Sequence, residues 1–374
     1  MPAGVYISST NIFSPVGENT AETFSALYAG ESGVRSMVHK KIWPDPFYAS
    51  MFKKYPEVPG YSPFESILIS SIEDALKYSR VNANDEKTIL ILSTTKGNIS
   101  LIESDANIDP AEISLSRSAK KIQSHFGFVH TPLLVSNACI SGILAMIVAK
   151  RLIEAGIYQH AVVAGADIIS SFILSGFQSF QAISPGLCKP FDAGRNGINL
   201  GEAAATIVLT RNPEYSNGIR LAGGAVSNDA NHISGPSRTG EELGNAILNA
   251  TSESGITVKD IDFISAHGTA TVYNDEMEAN AFHIAGVQHA PLNSLKGFFG
   301  HTLGAAGLIE SAISIHSLLK GIILPTPGFE QPGTTQKVNV LKELKHQDVC
   351  VCLKTGSGFG GCNAAVIFQK MITN

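Results

Sequence analysis

The chain is poor in charge. Charged residues fill 16% of its 374 positions, against a usual quarter, and that scarcity predicts a surface partly buried in a partner subunit. It has no basic tract and a net charge of −5, so nucleic acid is not an expected partner. No apolar run reaches the roughly 20 residues that span a bilayer, so no membrane partner is expected either. The opening MPAGVYISST lacks the charged n-region and the apolar core of a signal peptide. Its five cysteines are odd in number and lack framework spacing. That argues against a secreted disulfide scaffold and for a reducing cytoplasm. In that compartment Asn98-Ile-Ser has no meaning as a glycosylation site. The chain has no short-range histidine pair of metal-ligand spacing. A site made of Cys139, His267 and His301 is conceivable, but no metal is expected.

What is present is an alternation of apolar strands and helices, which predicts an α/β architecture. The rhythm occurs twice and suggests a duplicated fold, with halves at 1–212 and 213–374. Pro213 and Asn217 mark the junction. Residues 37–65 mix aromatics, prolines and lysines without a period, and read as a cap-like excursion. Cys350 and Cys352 alternate along a predicted strand and read as packing residues.

One stretch organises the rest. Residues 132–152, PLLVSNACISGILAMIVAKRL, read as a short strand, a small-residue turn and a long apolar helix. Cys139 falls at the start of that helix. The first N–H groups of a helix are unpaired and carry partial positive charge, which stabilises a thiolate, the nucleophilic form. A lone buried cysteine is more often a small hydrophobe. The strand–turn–helix setting favours a nucleophile.

Four further stretches gather polar chemistry among small residues. Ser265-Ala-His267-Gly-Thr269-Ala-Thr271 places a histidine and two threonines at a strand end, a setting for general acid–base work. Lys296-Gly-Phe-Phe-Gly-His301 leads through a glycine-rich loop into a helix. The backbone N–H groups of Gly358-Phe359-Gly360-Gly361 could face an oxyanion. Lys189, Asp192, Arg195 and Glu202 read as a structural charge network. Any of these alone has an ordinary structural explanation.

Together, and in this order, the motifs resemble the β-ketoacyl-acyl-carrier-protein synthases, condensing enzymes of the thiolase superfamily, over nearly the whole chain. The variant is the elongating Cys-His-His type, since His301 stands where the initiating type has asparagine. The resemblance implies a thiolase fold, a duplicated layered αβαβα core of mixed sheets. It implies that Cys139 carries the acyl chain as a thioester, and that His267 and His301 bind the malonyl thioester carbonyl while CO2 leaves. Lys296 and Glu310 would be a buried pair beneath the histidines. The N–H groups of Cys139 and Phe359 would form the oxyanion hole. Thr269 and Thr271 would contact the phosphopantetheine arm of acyl carrier protein. Phe359 would be a gate, with Asp229 in the loop that moves with it. No cofactor is implied beyond that substrate-borne arm. The expected partners are acyl carrier protein and a second subunit, identical or a related ketosynthase or chain-length factor.

Three departures stand out. Ser357 replaces a phenylalanine of the usual gate, as in type II polyketide ketosynthases. It predicts a wider site whose hydroxyl could meet a polar group on a rigid polyene or aryl chain, which tilts the expected pathway toward polyene or polyketide-like biosynthesis, with ordinary fatty-acid elongation as the alternative. Residues 94–98, Thr-Thr-Lys-Gly-Asn, replace a glycine-rich floor of the acyl pocket, and the segment before Cys139 is short. Two rivals remain. A CoA-dependent thiolase needs a second cysteine in a Cys-x-Gly context, and Cys362 is followed by Asn-Ala. A chain-length-factor-like subunit would lack the nucleophile.

Overall fold

The computed structural model describes residues 4–103, 107–231 and 235–371. Its frame is a ten-stranded sheet. The strands are β1 (Tyr6–Phe13), β2 (Thr88–Ser93), β3 (Leu133–Val135), β4 (His160–Asp167), β5 (Ala203–Thr210), β6 (Ile219–Asn228), β7 (Phe263–Ser265), β8 (Leu292–Asn293), β9 (Val351–Gly358) and β10 (Cys362–Lys370). Their spatial order is β8-β7-β9-β10-β6-β1-β5-β4-β2-β3. β1 and β6 pair through Tyr6 and Arg220, and two sets of five strands meet there. In the first set β1–β5 and β5–β4 are antiparallel, while β4–β2 and β2–β3 are parallel. In the second, β6–β10 and β10–β9 are antiparallel, while β9–β7 and β7–β8 are parallel. Numbered within each set, both read 3-2-4-5-1, so the duplication is one of topology.

Both faces of each set are covered, which is why the strands are apolar runs rather than alternating ones. Ile89 and Ile91 of β2 face a central core, and Leu90 and Leu92 face an outer one beneath the helix Pro63–Tyr78. In the second set Cys352, Ala364 and Val366 face the same central core. Leu353, Ala365 and Ile367 face another outer one, under the helices Glu241–Ser254 and Val272–Ile284. The layers run helix, sheet, helix, sheet, helix.

The middle layer is the helix Ser141–Glu154 packed on the helix Ala306–Lys320. They cross at two glycines. A Cβ on Gly142 would lie 2.9 Å from the backbone nitrogen of Leu308, and one on Gly307 would lie 2.8 Å from that of Ile143. This close crossing brings the starts of both helices together, and with them the segments holding Cys139 and His301.

Residues 37–65 are not an excursion throughout: 38–46 are surface loop, but a buried strand follows. Phe47–Ser50 is a strand between Val34–Met37 and Leu200–Gly201. Phe47, Ala49 and Met51 are buried against Ile173 and Leu200. A four-residue strand among prolines and lysines is too short to show its period. The helix that follows is started by a capping box of Ser62 and Glu65. Among the described residues no helix is long and apolar enough to cross a membrane.

The glycine crossing is testable. Gly142→Ala forces the two helices apart, and such overpacking costs about 1–3 kcal/mol. The urea midpoint should fall accordingly, and an unchanged midpoint would show that the crossing tolerates a methyl group.

Candidate active site

The nucleophile turn follows β3. Ala138 holds a left-handed backbone, φ 44°, which is strained for a residue with a side chain. Ser141 pins it: its hydroxyl donates to the Ala138 carbonyl at 2.6 Å and accepts the Asn137 N–H at 2.8 Å. Regular helix begins at Ser141, so Cys139 stands just ahead of the first turn. Its Sγ lies 2.9 Å from Nε2 of His301. Burial pushes the thiol up to about 12, and neighbouring Cys362 adds to the rise while Lys296 opposes it. The expected thiolate is therefore not the resting form. Loss of hydration outweighs the pull of a helix start.

His267 follows β7. Its N–H donates to Glu278 at 2.9 Å, and that of Gly268 to the same carboxylate at 2.6 Å. His301 is placed by its own N–H, which donates to the Asn199 carbonyl at 2.7 Å. The two rings lie 5.2 Å apart and nearly perpendicular, at 82°. Sγ of Cys139 and one nitrogen from each ring fall within 4.8 Å of one another. Burial holds both imidazoles well below their ordinary value, and Lys296 and Lys354 push the same way. Both rings are thus neutral near pH 7.

Lys296 and Glu310 form a buried ion pair. The second oxygen of Glu310 lies 2.6 Å from Nζ of Lys354. Sequence reasoning missed Lys354, although a lysine ending the apolar run Val-Cys-Leu of a covered strand was the available signal. It also missed Glu278 and Asp275, which clamp the His267 loop. Asp275 accepts the N–H groups of Thr269 at 3.0 Å and Phe191 at 2.7 Å. The Asp275-x-x-Glu278 spacing, one helical turn after Thr271, was their signal.

Two cavities meet at Cys139. One, of about 330 Å³, is lined by Thr269, Thr271, His267, His301 and Asp229. The other, of about 870 Å³, is lined by Lys96, Ser175 and Phe172. Phe177, Phe180 and Phe359 border both. The ring of Phe359 packs 5.6 Å from that of Phe177 and 5.1 Å from that of Phe180. The hydroxyls of Thr269 and Thr271 are 2.8 Å apart.

The glycine-rich turn is narrower than its sequence suggests, because β9 runs to Gly358 and only 359–361 turn. A Cβ on Gly358 would lie 3.0 Å from the Cys139 nitrogen, so this strand end abuts that amide. Ser357 differs from its expectation: its hydroxyl donates to Asn363 at 2.8 Å and is already engaged. Asp229 latches the hairpin by donating its N–H to the Gly361 carbonyl at 2.8 Å. Its carboxylate accepts from Asn231 and Ser237. Asp192, Arg195 and Glu202 serve structure. Asp192 accepts the N–H groups of Glu330 and Gln331, Arg195 donates to the Asp192 carbonyl, and Glu202 accepts from Tyr55.

Comparison with known proteins agrees with this geometry. The family model described as beta-ketoacyl synthase, N-terminal domain, matches residues 47–214, and its C-terminal counterpart matches residues 219–330. A Streptomyces halstedii protein named as polyketide beta-ketoacyl synthase 1 is 32% identical over 67% of the chain and 64% of its own length. The chain belongs to the beta-ketoacyl synthase family. The 3-oxoacyl-acyl-carrier-protein synthase 2 of Vibrio cholerae is 26% identical, over 98% of this chain and 99% of its own. A Xenorhabdus doucetiae ketosynthase, solved in complex with its chain length factor, superposes with a TM-score of 0.89 at 25% identity. That match covers 98% of both chains.

The thiol's raised pKa gives this beta-ketoacyl synthase a pH signature. Alkylation of Cys139, followed by peptide mass, should accelerate continuously as pH rises through the alkaline range. A rate already level below about pH 8 would mean a thiol near its ordinary value or lower.

Proposed function

We propose that this beta-ketoacyl synthase performs decarboxylative condensation on carrier-protein thioesters, with Cys139 as nucleophile and His267 and His301 as the malonyl-binding pair. The convergence of one sulfur and two ring nitrogens where two cavities meet carries the reading. In the first half-reaction Sγ attacks the acyl thioester. Its proton passes toward Nε2 of His301 and goes on to the departing pantetheine thiol. In the second, ring N–H groups of His267 and His301 donate to the malonyl thioester carbonyl. CO2 leaves, and the electron pair of the broken C–C bond becomes an enolate. The enolate carbon attacks the acyl carbonyl, whose oxygen is met by the N–H groups of Cys139 and Phe359. The C–S bond then breaks, releasing the β-ketoacyl product, and the departing sulfur takes a proton from solvent to regenerate the thiol.

Thr269 and Thr271 line the smaller cavity and suit the amides of a pantetheine arm. The larger cavity suits the acyl chain, and its phenylalanine lining favours a rigid, unsaturated chain over a flexible saturated one. No step calls for a metal or a redox cofactor. Two lysines against one carboxylate beneath the histidines disfavour a bound cation.

β3 is an edge strand with Leu133 and Leu134 exposed. Phe172 and Phe180, also exposed, stand at the larger cavity. An unpaired edge beside apolar surface fits pairing with a second ketosynthase chain or a chain-length factor. The setting we infer is the cytoplasm. The thiolase alternative lacks its second cysteine motif, because Cys362 precedes Asn363 in β10. The chain-length-factor alternative lacks a use for Cys139.

One experiment tests the reading. The protein is exposed to acyl carrier proteins bearing saturated and polyenoyl chains, and intact mass is recorded. A single adduct is expected, larger in yield with the polyenoyl chain and absent in Cys139→Ala. His267→Ala should still accept it and His301→Ala should accept it slowly, while both lose about 100- to 1,000-fold in malonyl decarboxylation. Adducts that survive in Cys139→Ala, or decarboxylation at the original rate in both histidine variants, would refute the assignment.

A further inference from the structure

Lys354 is a second, unassigned ammonium under the reacting groups. It is fully buried at the inner end of an apolar strand segment. Its Nζ makes three contacts. One is Glu310, at 2.6 Å. The others are the carbonyls of Ser265 at 3.1 Å and Ala266 at 3.2 Å, the two residues immediately before His267. Glu310 in turn holds Lys296, at the start of the segment leading to His301. Lys354 therefore joins the two histidine segments through one carboxylate. Its neighbour Thr355 donates to Glu278 at 3.1 Å, the carboxylate that holds the His267 N–H. The carbonyls of the His267 loop are fixed by Lys354 and its N–H groups by Glu278.

We propose that Lys354 is a positioning residue for condensation: it fixes the His267 loop against Glu310 and so holds the enolate toward the acyl carbon instead of leaving it to take a proton. This rests on the reading of His267 and His301 as malonyl-binding groups. Position decides the outcome. An enolate held away from the acyl carbon takes a proton from solvent and gives an acetyl thioester, with no C–C bond formed.

The experiment reads the product ratio, which does not depend on how much enzyme survives. Acyl-loaded enzyme is mixed with malonyl-carrier protein from about pH 5 to about pH 8, and β-ketoacyl and acetyl products are separated by mass. The unaltered protein should give mostly β-ketoacyl product. Lys354→Met should shift the ratio several-fold toward acetyl product at every pH. Lys354→Gln, which can still donate to one carbonyl, should recover part of the β-ketoacyl product.

A ratio in both variants equal to that of the unaltered protein would overturn the proposal, whatever the rate. So would failure of both variants to load an acyl chain on Cys139, since the lysine would then serve folding alone. If the unaltered protein forms no β-ketoacyl product in the same assay, the functional reading fails instead.

Discussion

One carboxylate, Glu310, faces two lysines in the interior, and three separate segments of chain meet there. Lys296 starts the His301 segment, Lys354 ends the inward part of β9, and Glu310 lies on the central helix Ala306–Lys320. Burying such groups is costly, and removing one partner of a buried pair typically costs about 3–5 kcal/mol. An interior that retains two ammonium groups against one carboxylate is therefore constrained in how its segments can sit. The helix crossing at Gly142 and Gly307 supplies the other half of the constraint. It sets the start of the nucleophile helix beside the start of the Glu310 helix. Cys139 and His301 then face each other, with Sγ 2.9 Å from Nε2.

The same packing separates two routes to the sulfur. The smaller cavity reaches it past threonine hydroxyls, the larger one past phenylalanine rings, and the tip of the β9–β10 hairpin stands between them. Phe359 can divide them because Gly358 lets the strand end lie directly against the Cys139 amide. A chain held on sulfur and a second substrate arriving along another path can then coexist, which is what a two-step condensation requires. Ser357 contributes by being small, since its hydroxyl is engaged by Asn363.

Much of this was legible in the sequence because it is local. A short strand, a small-residue turn and a cysteine before an apolar helix form one continuous stretch. The His267, His301 and Phe359 segments are equally compact, and their order along the chain points to one family. What depends on distant burial was not legible. The Cys139 thiol is governed by what covers it, so the helix start alone misjudged its charge. Lys354 looks like the solvent end of a strand until β7 is placed against it. The helix Val272–Ile284 was hidden because it turns Asp275 and Glu278 inward, which breaks the apolar spacing by which helices are recognised. The strand Phe47–Ser50 was too brief to show a period, and the left-handed turn at Ala138 leaves no mark in residue type.

The account stands on two imidazoles kept neutral by burial, with Lys296 and Lys354 pushing the same way. The most direct test is nitrogen NMR of the protein with labelled histidine, assigned through His267→Gln and His301→Gln and followed as pH is lowered. The account predicts that both rings keep neutral-imidazole nitrogen shifts well below the ordinary histidine value of about 6.5. Titration of either ring near that value, or an imidazolium signature at neutral pH, would contradict it.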